Sequence, residues 1–133
     1  MGDLKRLNGI KVLVVDDSST IRRSAEIFLS NTGCEIILAV DGFDALAKVV
    51  DNQPDIIFVD VVMPRLDGYQ ACQLIKKNTR FHATPVIMLS SKNGLFDKAK
   101  GRMVGSSEYL TKPFTKDELL NAIEKHALQF SNT

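Results

Sequence analysis

At 133 residues, with 44% apolar and 25% charged content, the chain has the make-up of one globular domain with a real core, which excludes global disorder. A formal net charge of +1 without any basic block argues against nucleic acid as the main partner. No run approaches the roughly 18 apolar residues of a membrane span, and Met1-Gly2-Asp3-Leu4-Lys5-Arg6 lacks the apolar stretch of a secretory signal, so a cytoplasmic protein with no membrane insertion is expected.

Residues 1–9 are polar, close on Asn8-Gly9 and read as a short lead-in, with the domain expected over 10–129 and a fraying tail at 130–133. Lys11-Val12-Leu13-Val14-Val15 is a β-branched run, the first strand, and gives way to Asp16-Asp17. Ser18, Ser19 and Thr20 offer N-caps to a helix in which Ile21, Ala25, Phe28 and Leu29 recur at helical spacing, and Asn31 and Gly33 end it. Glu35-Ile36-Ile37-Leu38-Ala39-Val40 is the second strand. Asp41-Gly42 turns into a helix carrying Leu46, Val49 and Val50 on one face, stopped by Asn52 to Pro54.

Ile56-Ile57-Phe58-Val59 reads as a strand buried on both faces, and it ends on a carboxylate, Asp60. Pro64 halts any regular element beyond it. Asp67-Gly68 makes a turn into a third helix, marked by Ala71, Leu74 and Ile75 and ending near Asn78. Pro85-Val86-Ile87-Met88-Leu89 is the fourth strand, closing on Ser90-Ser91. A thinner helix follows from about Gly94 to Met103, with Leu95, Phe96, Ala99 and Met103 as its few apolar positions, so its packing is expected to be marginal. Tyr109-Leu110 is a brief fifth strand leading to Lys112-Pro113-Phe114. Thr115 and Glu118 make a capping box, Phe114 and Leu119 its hydrophobic staple, and Leu120, Ile123 and Ala127 continue the last helix. Cys34 and Cys72, without metal-like spacing, read as small buried filler in a reducing compartment. His82 and His126 read as surface histidines. Arg22, Arg23 and Arg65 read as solvated, with Arg65 on the loop beside Asp60 and within reach of a partner.

Strand and helix alternate five times across short connections. That predicts an α/β fold with a doubly wound, five-stranded parallel sheet in the flavodoxin-like order 2-1-3-4-5. All strand C-termini then face one way, and ligands bind there, at the switch point between strands one and three. The ends carry Asp16 and Asp17, then Asp60, then Ser90, then Lys112. Two carboxylates ~4 Å apart repel by roughly 4 kcal/mol at an effective dielectric of 20. Three cannot all stay ionised without a cation or a proton. Lys112 supplies one positive charge, and an oxygen-only ligand set favours Mg²⁺, Mn²⁺ or Ca²⁺ over zinc for the rest. The constellation suits a phosphoryl group set next to a carboxylate, with Asp60 as nucleophile, Lys112 and the metal neutralising charge, and Ser90 sensing the phosphate. Singly, each piece has an ordinary role: Asp16-Asp17 as turn and cap, Ser91 as a cap, Lys112 as a turn lysine, Tyr109 as a strand aromatic. Their coincidence at four strand ends carries the argument.

Together these residues resemble the receiver domain of bacterial two-component response regulators. The likeness rests on Asp16-Asp17 after an apolar strand, on Asp60 with Met63-Pro64 and Asp67-Gly68 downstream, on Ser90, and on Tyr109 with Lys112-Pro113-Phe114. It spans about Lys11 to Leu128. The resemblance implies that a histidine kinase, or its phosphotransfer domain, phosphorylates Asp60. Asp17, Asp60 and the Val62 carbonyl would hold Mg²⁺, and Asp16 would act mostly through metal-bound water. Ser90 and Tyr109 would form the switch, Lys112 would contact the phosphoryl oxygens, and Lys112–Pro113 would be cis. Ser90 stands where many members have Thr, and apolar Val62 occupies a position that governs water access to the acyl phosphate. Such a protein signals by its surface and catalyses only its own phosphoryl transfer and dephosphorylation. With no residues left for an output domain, a stand-alone, chemotaxis-type receiver is expected, acting on a downstream protein through the face of helix four, strand five and helix five. Ser90–Arg102 and Pro64–Gln70 look most similar to receivers of type IV pilus twitching-motility systems; the alternative is a flagellar chemotaxis regulator or a phosphate sink. A flavodoxin-type cofactor binder would need a phosphate loop where this chain is acidic, and an Asp-nucleophile phosphatase would need a cap segment.

Overall fold

Five short strands, four of them nearly continuous apolar runs and the fifth the mixed Glu108-Tyr109-Leu110-Thr111, make the centre of the computed structural model, which describes residues 6–91 and 95–127. They are β1 (Lys11–Val15), β2 (Glu35–Ala39), β3 (Ile56–Asp60), β4 (Val86–Ser90) and β5 (Glu108–Thr111). Between and after them lie α1 (Ser19–Leu29), α2 (Gly42–Asn52), α3 (Gly68–Lys77), α4 (Leu95–Met103) and α5 (Lys116–His126). Every pairing is parallel, and the sheet order is β2-β1-β3-β4-β5, the flavodoxin-like order. Parallel neighbours need a crossover, and the helices supply it while covering both faces of the sheet.

Strand side chains alternate between two cores. Val12, Val14, Ile56, Phe58, Ile87 and Leu89 face α1 and α5, meeting Ala25, Leu29, Leu119 and Ile123. Leu13, Val15, Ile57, Val59 and Met88 face the other way, toward Ala45 and Val49 of α2 and Cys72 and Ile75 of α3. β3 and β4 are buried at all positions because both have neighbours on each side and helices above and below.

The helix starts follow the capping chemistry of the sequence. Ser18 accepts from the Ile21 amide, Asp41 from Asp44, and Asp67–Gln70 and Thr115–Glu118 are complete capping boxes. Phe114 and Leu119 are both buried in the first core, as the expected staple requires. Some inward faces differ from expectation. Val50 (50% exposed) and Leu74 (45% exposed) look outward, while Ala45, Val49, Cys72 and Ile75 take the buried positions. Adjacent residues on a helix sit about 100° apart, and in the pairs Val49–Val50 and Leu74–Ile75 only the second core's Val49 and Ile75 lie on the buried face. The lead-in also contributes to packing. Leu7 is fully buried, its amide donates to the Thr32 carbonyl at 2.8 Å, and Arg6 pairs with Glu124 of α5. The expected start of α4 at Gly94 and the frayed tail at 130–133 lie outside the described residues, as do the side chains of Leu95 and Phe96.

Candidate functional site

β1 and β3 run side by side with Val15 opposite Val59, so the residues that follow, Asp16 and Asp60, emerge next to each other. Asp16 is fully buried and Asp60 is 3% exposed, whereas Asp17 points to solvent. One carboxylate oxygen from each of the three falls within 4.8 Å of the others. Lys112 follows β5 and reaches across the strand ends to both buried acids, with Nζ 3.0 Å from Asp16 Oδ2 and 3.1 Å from Asp60 Oδ1. Its backbone is fixed by donation to the Ser90 carbonyl at 2.7 Å, and the Lys112–Pro113 bond is cis.

Local hydrogen bonds aim the acids. Asp16 Oδ1 accepts the Ser18 amide at 2.9 Å, and Asp60 Oδ1 accepts the Val62 amide at 3.2 Å. Arg22 of α1 donates Nη1 to the Asp16 carbonyl at 2.6 Å. That differs from the solvated arginine expected, and it braces the turn carrying the acidic pair. α3 begins hard against the site: a Cβ on Gly68 would lie 2.2 Å from the Asp60 carbonyl oxygen, so only glycine allows this approach.

Burial, then the neighbouring Asp16 charge, push Asp60 up to about 6, against the opposing pull of the Val62 amide and Lys112. Burial works against the Lys112 ammonium, yet its hydrogen bonds and charge pairing with Asp16 and Asp60 prevail and raise its pKa. Three carboxylates against one ammonium leave a local excess of two negative charges, on oxygen donors alone. A hard divalent cation such as Mg²⁺ fits that donor set. The chemistry such a site can support is acceptance of a phosphoryl group on the buried, partly protonatable carboxylate, with the ammonium beside it.

The remaining expected residues sit on the adjoining strands. Ser90 is 2% exposed at the end of β4. Tyr109 pairs with Met88, two positions short of the Ser90–Thr111 pair, and it packs half-buried against the second core. Its hydroxyl is buried without a hydrogen-bond partner among the described residues. Val62 is 70% exposed beside Asp60. Tyr69, at the start of α3, was not singled out by its sequence. Its hydroxyl donates to the Asp97 carbonyl of α4 at 3.4 Å, Lys100 Nζ lies 4.7 Å from its ring centroid, and burial, then the nearby Tyr109 phenol, raise its pKa. His82 is exposed as expected. His126 instead lies 2.9 Å from Glu108, joining α5 to β5, and Arg65 pairs with Asp41 at 3.0 Å.

Residues 12–124 match the response regulator receiver domain. Protein PilG of Pseudomonas aeruginosa is 66% identical over 124 residues, covering 93% of this chain and 92% of PilG. Several transcriptional regulators match at 37–40% identity, and the chain spans about half of their length. Among solved structures, the chemotaxis protein CheY4 of Vibrio cholerae is similar with a TM-score of 0.85 and 34% identity, over 89% of this chain and 98% of that one. The receiver domain of the sensor histidine kinase PA1611 of Pseudomonas aeruginosa, described with a magnesium ion in its active-site cleft, has a TM-score of 0.82 and 28% identity, over 90% and 98% of the two chains. The fold order, the acidic crevice and these likenesses agree, and the chain belongs to the response regulator receiver domain family.

Proposed function

We propose that the protein is a phosphorylation-switched signalling protein that takes a phosphoryl group onto Asp60 from a histidine kinase or its phosphotransfer domain. The observation that carries this reading is Lys112 spanning two buried carboxylates in one crevice, 3.0 Å from Asp16 and 3.1 Å from Asp60. In the transfer, a carboxylate oxygen of Asp60 forms a bond to phosphorus while the phosphorus–nitrogen bond of the donor phosphohistidine breaks, and the imidazole leaves. Asp16, Asp17, Asp60 and the Val62 carbonyl are the groups that would hold Mg²⁺, which when bound neutralises charge on the transferring group. Lys112 donates hydrogen bonds to the phosphoryl oxygens and thereby loosens its hold on Asp16. Ser90 turns its hydroxyl to a phosphoryl oxygen, and Tyr109 follows. Val62 limits the access of water to the acyl phosphate.

The output is a changed binding surface made by α4, β5 and α5, read by a downstream protein. Reversing a 1:99 population takes about 5.5 kcal/mol of differential stabilisation, within reach of two or three charge-assisted hydrogen bonds at roughly 1.5–3 kcal/mol each. The setting we propose is type IV pilus twitching motility in the cytoplasm. Support comes from the 66% identity to PilG, and no helix among the described residues is long and apolar enough to cross a membrane. Incubation with a small acyl-phosphate donor and Mg²⁺, read by intact mass, tests the reading. One added phosphoryl group is expected on the parent and none on Asp60→Ala. An unmodified parent, or equal incorporation on the variant, would overturn it.

A further inference from the structure

The loop between β3 and α3, which carries Val62, is fastened to the neighbouring β2–α2 turn. Arg65 Nη2 donates to Asp41 Oδ2 at 3.0 Å, and the guanidinium carbon lies 5.8 Å from the Phe43 ring centroid, within cation–π range. Asp41 is shared between two tasks, since its Oδ1 accepts the Asp44 amide at 2.7 Å and caps α2. The backbones also touch: a Cβ on Gly42 would lie 2.6 Å from the Leu66 carbonyl oxygen, so glycine is needed for the turn to seat against the loop. Arg65 itself holds φ at +67°, a left-handed conformation that a non-glycine residue keeps only where its surroundings over-determine it. The loop's ends are fixed at the site, by Val62 donating to Asp60 Oδ1 at 3.2 Å and Gly68 donating to the Val61 carbonyl at 3.2 Å. Its middle is gripped from the side by residues 41–43.

We propose that Arg65, acting through Asp41 and Phe43, is a positioning residue. It keeps the 61–67 loop in the one arrangement that sets Val62 beside Asp60, and so tunes how tightly the acidic site takes a divalent cation and how long a phosphoryl group survives there. The consequence for cation and phosphoryl rests on the proposed function, whereas the fastening does not. Arg65 is 68% exposed and Asp41 20%, so solvent and salt weaken the pair. An exposed pair of this kind is worth a factor of roughly 1.5 to 5 in an equilibrium. That modest factor suits a tuning contact rather than a structural staple.

The test compares the parent with Arg65→Asn, Asp41→Asn and the double variant. Asparagine tolerates the left-handed backbone, so Arg65→Asn removes the guanidinium without adding strain, and Asp41→Asn keeps an oxygen for the α2 cap. The first readout is amide hydrogen exchange of residues 61–67 in metal-free protein. Arg65→Asn is expected to speed exchange there roughly two- to fivefold, Asp41→Asn by no more than that, and the double no further than Arg65→Asn, with α1 and α5 unchanged. Mg²⁺ affinity and the rate of phosphoryl loss should shift by a similar factor in the same variants, with partial recovery in Arg65→Lys. Unchanged exchange in the singles, or additive effects in the double, would overturn the fastening. A parent that takes neither Mg²⁺ nor phosphoryl would overturn the proposed function and the consequence with it. A responsive parent whose variants keep its Mg²⁺ affinity and phosphoryl lifetime would overturn the positioning role alone.

Discussion

At the scale of single residues, the site is a balance of like charges held together by one ammonium. Asp60 keeps its proton up to about pH 6 in the folded protein but only to the ordinary 3.8 when unfolded. Between those values the folded state binds more protons than the unfolded chain, so stability falls as pH rises through that window and stays at the lower level above it. Asp60→Asn cannot ionise, and it removes the charge that opposes Asp16. In metal-free solution it should therefore be more stable than the parent at pH 7.5 by about 1–3 kcal/mol, with the gap shrinking toward pH 4. Urea titrations at both pH values check this, and a gap that is absent or grows on acidification would contradict it. Asp16, Asp17, Asp60 and Lys112 were legible because a strand's last residue has a fixed exit, and the parallel order brings those exits together. Arg22 was not, because its partner is a backbone carbonyl, and no spacing of side-chain types announces such a bond. His126 was missed for a related reason. Glu108, its partner, sits 18 positions away on β5, a neighbour only once α5 has folded back.

At the scale of elements, local chemistry set most boundaries. Ser18 and Thr115 were readable as caps, and Asp41 and Asp67 as turns into helices; each of the four accepts the amide three residues on. Thr115→Ala should cost about 1 kcal/mol by denaturant melt, since the α5 capping box then leaves helix-start amides to water. Which residue of an adjacent apolar pair turns inward was less legible. In α3 both Leu74 and Ile75 fit helical spacing, but the face set by Ala71 and Ile75 brings Cys72 under cover and turns Leu74 out. The thinly apolar α4 behaves as its sequence suggests. Over 97–103 only Gly101 is buried, and Met103 is 86% exposed. Its described amides should exchange hydrogen faster than those of α1 and α5, because few of its described side chains are packed. Equal protection across the three helices, measured by exchange and mass spectrometry, would contradict this.

At the scale of the molecule, alternation implied a parallel sheet covered on both faces, and the order 2-1-3-4-5 followed as the common solution for a chain of this size, with no need of side-chain detail. The role of the lead-in did not, because two leucines, Leu4 and Leu7, in a nine-residue polar stretch are too few to establish a period. Leu7 nonetheless sits in the core beneath α1 and α5, and Arg6 beside it binds Glu124. Leu7→Ala should therefore destabilise the whole domain by about 2–5 kcal/mol, the cost of emptying a buried leucine site. A loss within a few tenths of a kcal/mol, by thermal or urea unfolding, would place that segment outside the cooperative unit. The central claim, that one crevice joins opposed charges so that a carboxylate can carry phosphate, meets its most direct test in locating the phosphate. After treatment with an acyl-phosphate donor and Mg²⁺, borohydride reduces an aspartyl phosphate to homoserine, which peptide sequencing by mass then maps. Conversion at position 60 alone, dependent on both donor and Mg²⁺, is the predicted result. Conversion at another position, or bound phosphate with no conversion at position 60, would contradict it.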